Sequence, residues 1–228
     1  DGTTMELDLY QAEFRADLVT TKGNVRVSSL VHSLEPVILI EAEPMDGENV
    51  HICWNAYPDI PEITKNEDGI NYNQYIPDIR LSQSQEGDIY IQEQMFSEND
   101  GCTIAYTQVK GGTLFGENHG INDSLLGDNR GTVRFYLTVQ KGFGAQVVSS
   151  AVKAVKAAAA VPVEEWKKSH LDWWSEYYQK SFVSFNDTRL EGFYLIQMYK
   201  LACATRSDKP IMDNQGPWMA ATPWPRAW

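Results

Sequence analysis

"QKGFGAQVVSSAVKAVKAAAAVP", residues 140–162, divides the chain into two kinds of sequence. Before it, turns opened by glycine separate short apolar runs. After it, alanine-rich and aromatic segments repeat at helical spacing. Fourteen of the sixteen glycines lie at or before Gly144, and six of the seven tryptophans lie at or after Trp166. Such a shift marks a change of architecture within one chain. We therefore place a β-sandwich domain at 1–147, a helical linker at 148–182 and a second helical unit at 183–228.

In the first part, "MELDLYQAEFRADL" sets Met5, Leu7 and Leu9 in alternation with polar neighbours, the period of a half-buried strand. "KGN" at 22–24 is a turn, and "VRVSSLVHSL" and "EPVILIEAEP" follow as strands. "MDGENV" carries an Asp-Gly turn before "VHICWNAY". "GDIYIQEQMF", "GCTIAYTQVKGG" and "GTVRFYLTVQ" each open on a glycine turn. Strands in series with no helical period between them predict a mainly β, antiparallel sandwich. Two polar loops, 58–80 and 116–129, are long enough to carry function or to meet a neighbouring domain.

In the second part, Ser149 and Ser150 are candidate caps of the first helix, and Pro162 ends it. "VEEWKKSHLDWWSEYYQK" then puts Trp166, His170, Trp173, Trp174 and Tyr177 on one face. Thr188-x-x-Glu191 reads as a capping box for a third helix ending near residue 206. Its predicted inward face is Leu190, Phe193, Tyr194, Gln197, Met198 and Leu201. The chain closes on "QGPWMAATPWPRAW", residues 215–228, where Pro217, Pro223 and Pro225 forbid a helix. Its indoles either pack on further structure or line a cleft, since indole faces stack on sugar rings.

The totals exclude several functions. The 228 residues carry a net charge of −12 and no basic run, so nucleic acid is not an expected partner. No apolar run approaches the ~20 residues that cross a bilayer, so no membrane span is expected. Cys53, Cys102 and Cys203 are too few for a disulfide framework, although a Cys53–Cys102 bridge is conceivable. His32, His51, His119 and His170 form no zinc motif, and no glycine loop matches a nucleotide-binding pattern, so neither metal nor cofactor is expected. "NDS" at 122–124 and "NDT" at 186–188 fit the glycosylation sequon. With no initiator Met, the chain reads as part of something longer.

Residues 170–228 resemble the front of glycoside hydrolases built on an (α/α)6 barrel, closest to family 95 and to related proteins with an N-terminal domain of unknown function. The resemblance rests on His170-x-x-x-Trp174, on Tyr194, Gln197, Tyr199 and Leu201, and on Gln215, Gly216 and Trp218. It implies a super-sandwich lacking its first strands, a helical linker and the first helix of a truncated barrel. It further implies a non-catalytic, inactive portion of a periplasmic or secreted glycosidase acting on glycans. Trp218, Gln215, Trp224 and Trp228 would then line the substrate cleft, and the catalytic residues would lie beyond Trp228. Two alternatives stay open. One is a carbohydrate-binding module using aromatics such as Tyr72 and Tyr75. The other is an interaction or assembly protein, a homo-oligomer joined through its aromatic helices and burying Trp218, Trp224 and Trp228.

Overall fold

The computed structural model describes residues 2–50, 52, 80–96, 98–109 and 131–207. Eight strands are followed by three helices: β1 (Thr4–Asp8), β2 (Glu13–Val19), β3 (Asn24–Val31), β4 (Ile38–Met45), β5 (Arg80–Glu86), β6 (Ile89–Met95), β7 (Gly101–Val109), β8 (Val133–Lys141), α1 (Ala145–Ala160), α2 (Val163–Gln179) and α3 (Thr188–Ala204). Mainly antiparallel β followed by helices is the class the sequence predicts. Among the described residues the strands form one eight-stranded sheet in the order β1-β2-β3-β4-β8-β7-β6-β5. Two four-stranded meanders meet at the β4–β8 ladder, where Ile38 lies opposite Leu137 and Leu39 opposite Tyr136.

The "MELDLYQAEFRADL" segment is a hairpin rather than one strand. Asp8 Oδ1 accepts the N–H groups of Tyr10 and Gln11, both at 3.0 Å, and Ala12 takes φ 48°. That Asx turn reverses the chain and sets Met5 opposite Ala16. At the head of β7, Gly101 is obligatory for a different reason. A Cβ there would stand 2.3 Å from the Gln94 carbonyl oxygen on β6.

Both faces of the central strands are buried. Leu30, Leu39, Ile91, Ala105 and Tyr136 point to the helix side. Ile104, Tyr106, Phe135 and Leu137 point to the other, with Ile52 against them. This is why β7 and β8 read as near-continuous apolar runs instead of alternating ones.

Helix α1 lies across β6, β7 and β8. Ala151, Val152, Val155 and Ala158 recur at i, i+1, i+4 and i+7 and are its buried residues. Two of its four buried positions are alanines, short enough to bring the helix close to the sheet, and burying the two valines contributes roughly 1.5–3 kcal/mol each. Its N-cap is Gly144 at φ 90°, not a serine. Ser149 and Ser150 fall inside the helix, and no side chain caps its first turn; the Gly144 N–H itself donates to Glu93 Oε1 at 2.6 Å, which ties the start of the helix to the sheet. Pro162 caps α2, with Glu164 and Glu165 in its first turn.

Candidate functional site

The residues expected to line a cleft, Gln215, Trp218, Trp224 and Trp228, lie outside the described residues, as do Tyr72, Tyr75, His51, His119 and Cys53. Within the described residues, the densest polar and aromatic chemistry sits where α2 meets the sheet.

The β3–β4 turn, "HSLEP" at 32–36, grips one face of α2. His32 accepts the Leu34 N–H on Nδ1 at 3.2 Å. Its Nε2 therefore carries the proton, and it donates to the Trp166 carbonyl at 3.1 Å, with Ser169 Oγ at 3.0 Å. His170, one turn along α2, repeats the pattern. It accepts the Ser33 N–H on Nδ1 at 3.0 Å and donates from Nε2 to the Gln11 carbonyl at 2.8 Å. Trp166 Nε1–H donates to Glu35 Oε2 at 3.1 Å, and its ring stacks on His32 at 4.3 Å. Burial pushes the pKa of both histidines below the usual 6.5, against the pull of the carbonyls they face. Both imidazoles are neutral hydrogen-bonding units in this arrangement.

A row of charges flanks this contact. Arg134 Nε donates to Glu41 Oε1 at 2.6 Å, and Lys167 pairs with the other oxygen of Glu41. Lys167 also meets Glu13 at 3.5 Å, and Arg15 binds Glu13 at 2.7 Å. Burial alone would raise the Glu41 pKa. The hydrogen bonds from Lys167 and Arg134 outweigh it and hold the carboxyl below 4.5.

Beyond His170 the same face of α2 becomes aromatic. Tyr199 of α3 and Tyr178 stack on Trp174, with centroids at 5.4 and 5.8 Å, while Trp173 and Tyr177 meet it edge-on. Tyr178 Oη donates to the Leu9 carbonyl and Tyr177 Oη to that of Met198, both at 2.8 Å. Burial pushes the Tyr199 phenol up to about 12. Arg206 lies 3.8 Å over the Trp173 ring. Beside this cluster, an open groove of about 810 Å³ runs between Tyr10, Leu171, Ser175, Tyr178 and Phe182.

Helix α3 corrects the expected inward face. Its buried residue is Ala202, and the side meeting α2 carries Tyr199 and the Met198 carbonyl. Leu190, Phe193 and Leu201 are 53%, 61% and 47% exposed. The helix has two apolar stripes, and sequence periodicity does not say which one α2 takes. The cap is shifted as well. Asp187 is the N-cap and accepts from the Arg189 N–H at 2.8 Å, while Glu191 reaches back to the Phe185 N–H at 3.1 Å.

The spacing of Trp166, His170 and Trp174 is visible in the sequence, and all three are buried. His32 and Glu35 carry no comparable signal, because their partners lie more than 130 positions away. Cys102 and Cys203 are free thiols. Among the described residues, no group of three or more His, Cys, Asp or Glu could hold a metal ion. No helix of the described residues is long and apolar enough to cross a membrane.

An antiparallel sheet with helices folded back onto it, leading into a partly uncovered helix, defines a mainly β domain with the start of a helical one. A solved structure, "Putative kojibiose phosphorylase from human microbiome", shares this fold with a TM-score of 0.58 and 13% identity. The similarity covers 88% of this chain and 27% of that one. At this identity the likeness is one of fold. It points to a protein named as a phosphorylase and not to family 95 in particular. No family model matches the chain, and no curated protein matches it.

Proposed function

We propose that the chain is the N-terminal, non-catalytic portion of an enzyme that cleaves glycosidic bonds in glycans, and that it packs against and shapes the cleft of an (α/α)6 barrel beginning with α3. The observation that carries this reading is the apolar stripe of Leu190, Phe193 and Leu201, which is left exposed. A helix at the start of a barrel has one side for the linker and one for its next neighbour. The fold shared with 27% of a much longer chain supports the same reading.

In this proposal the sheet is a rigid base. Helices α1 and α2 transmit its position to α3, and the segment from Gln215 to Trp228 follows as a rim where Trp218 stacks on a sugar ring. Family 95 membership and a periplasmic or secreted location belong to the same proposal. The acceptor is water or phosphate. A water-using, inverting enzyme places two carboxyls about 6.5–9.5 Å apart across the scissile bond. With phosphate, the nucleophile arrives already charged and needs no base.

The test is cleavage of a panel of α- and β-linked disaccharides, with and without inorganic phosphate. The 228-residue chain and the product of its full gene are compared. Cleavage by the full product alone is expected, and phosphate dependence assigns the acceptor. Turnover by the 228-residue chain overturns the proposal.

A further inference from the structure

We infer that His32 and His170 form an acid-sensitive latch that holds helix α2 on the sheet and releases it when both imidazoles take a proton. The geometry commits every ring nitrogen. In each histidine Nε2–H donates to a backbone carbonyl and Nδ1 accepts a backbone N–H. An imidazolium carries N–H on both nitrogens. Protonation would therefore set donor against donor at the Leu34 amide, 3.2 Å from His32, and at the Ser33 amide, 3.0 Å from His170. The Ser33–His170 contact joins the turn directly to α2, while the Leu34–His32 contact lies within the turn and sets the ring that reaches the Trp166 carbonyl, so one loss severs the attachment and the other distorts the turn that makes it.

The surroundings amplify the effect. The rings are 5.6 Å apart, so a second charge meets the first. His170 is fully buried and His32 nearly so, which leaves little water to spread either charge. Every packed element contributes charged or titratable groups. From the β3–β4 turn Glu35 favours a charged His32, and from β2 Glu13 favours a charged His170. From the segment after α3 Arg206 opposes it. From β8 Tyr136 lies edge-on to Trp166 and brings no charge. Lys167, on α2 itself, is already paired with Glu13 and Glu41. Glu35 already accepts from Trp166 Nε1, and Glu13 from Arg15 and Lys167, which offsets part of the pull of each carboxylate on its neighbouring imidazole. Burial is the largest influence on both rings and lowers both pKa values.

The sign follows from linkage. Each imidazole has a folded pKa below its unfolded 6.5, so its contribution is complete above pH 6.5 and is lost as pH falls through the folded value. With two protons taken up on release, the opening equilibrium of α2 should rise by more than about 10-fold and at most about 100-fold per pH unit where the slope is steepest. Trp166 and Trp174, buried on the same face, would be exposed by that release.

Amide hydrogen exchange of the full chain between pH 7.5 and 5.5, corrected for intrinsic rates, tests this. The expected result is a steep loss of protection in α2 with the β7 and β8 amides unchanged. In the double variant His32→Gln/His170→Gln, which keeps a donor and an acceptor but cannot titrate, that loss should shrink to about threefold or less. An α2 loss no larger in the wild type than in the double variant overturns the latch. If the double variant does not fold, NMR titration of the two imidazoles in the wild type decides. Protonation of both rings coincident with α2 release supports the latch, and both rings protonating while α2 stays protected overturns it.

Discussion

Trp166 and Trp174 stand two turns apart on α2, and both are buried, yet their indole N–H groups fare differently. Trp166 Nε1 donates to Glu35, while Trp174 Nε1 has no acceptor among the described residues. Trp166→Phe removes a hydrogen bond to a carboxylate as well as volume, whereas Trp174→Phe removes volume together with an unsatisfied donor. Trp166→Phe should therefore cost at least about 1.5 kcal/mol more in urea unfolding. Equal costs would contradict the pairing. Glu41 offers a second test at this scale. Glu41→Ala leaves the part-buried Arg134 without its Glu41 partner and Lys167 with Glu13 alone, and should cost about 1–3 kcal/mol. With its folded pKa held below 4.5, the stabilisation from Glu41 is complete above that pH and disappears as pH falls through the folded value. The wild type should lose stability there more steeply than Glu41→Ala.

At the scale of the element, what the sequence discloses depends on where an element finds its partners. Helix α1 was legible because its small residues recur with helical period and its boundary is written in Gly142, Gly144 and Pro162. Its start is not, because Gly144 is held by Glu93, on a strand far away in the sequence. The first hairpin reads as a single strand because alternation continues through Asp8, and only the side-chain turn reverses the chain. Helix α3 has two apolar stripes, so periodicity alone points to Leu190, Phe193 and Leu201, whereas α2 takes the side of Tyr199 and Ala202. Trp166, His170 and Trp174 followed from spacing alone, whereas His32 and Glu35 come from a turn that nothing local marks. The fit of α1 is directly testable. Ala158 is fully enclosed against the sheet, and Ala158→Leu, neutral for helix propensity, should cost about 1–3 kcal/mol by overpacking. A thermal midpoint equal to the wild type would mean that α1 sits further from the strands.

At the scale of the whole molecule, a strongly acidic chain carries apolar stripes on its outer helix. We propose that the exposed stripe lets the chain self-associate; Leu190→Glu/Phe193→Glu should then reduce association in sedimentation velocity while changing unfolding stability by no more than about 0.5 kcal/mol. Unchanged association would place the contact elsewhere. The ladder between β4 and β8 carries a different consequence, in time rather than in energy. It joins Ile38 to Leu137, so the two meanders can zip locally, but the sheet closes only when distant parts of the chain meet. On the ribosome, the first meander emerges with the Ile38–Met45 edge bare and waits for nearly a hundred further residues before β8 covers it. Until then that edge is an open template for any passing strand.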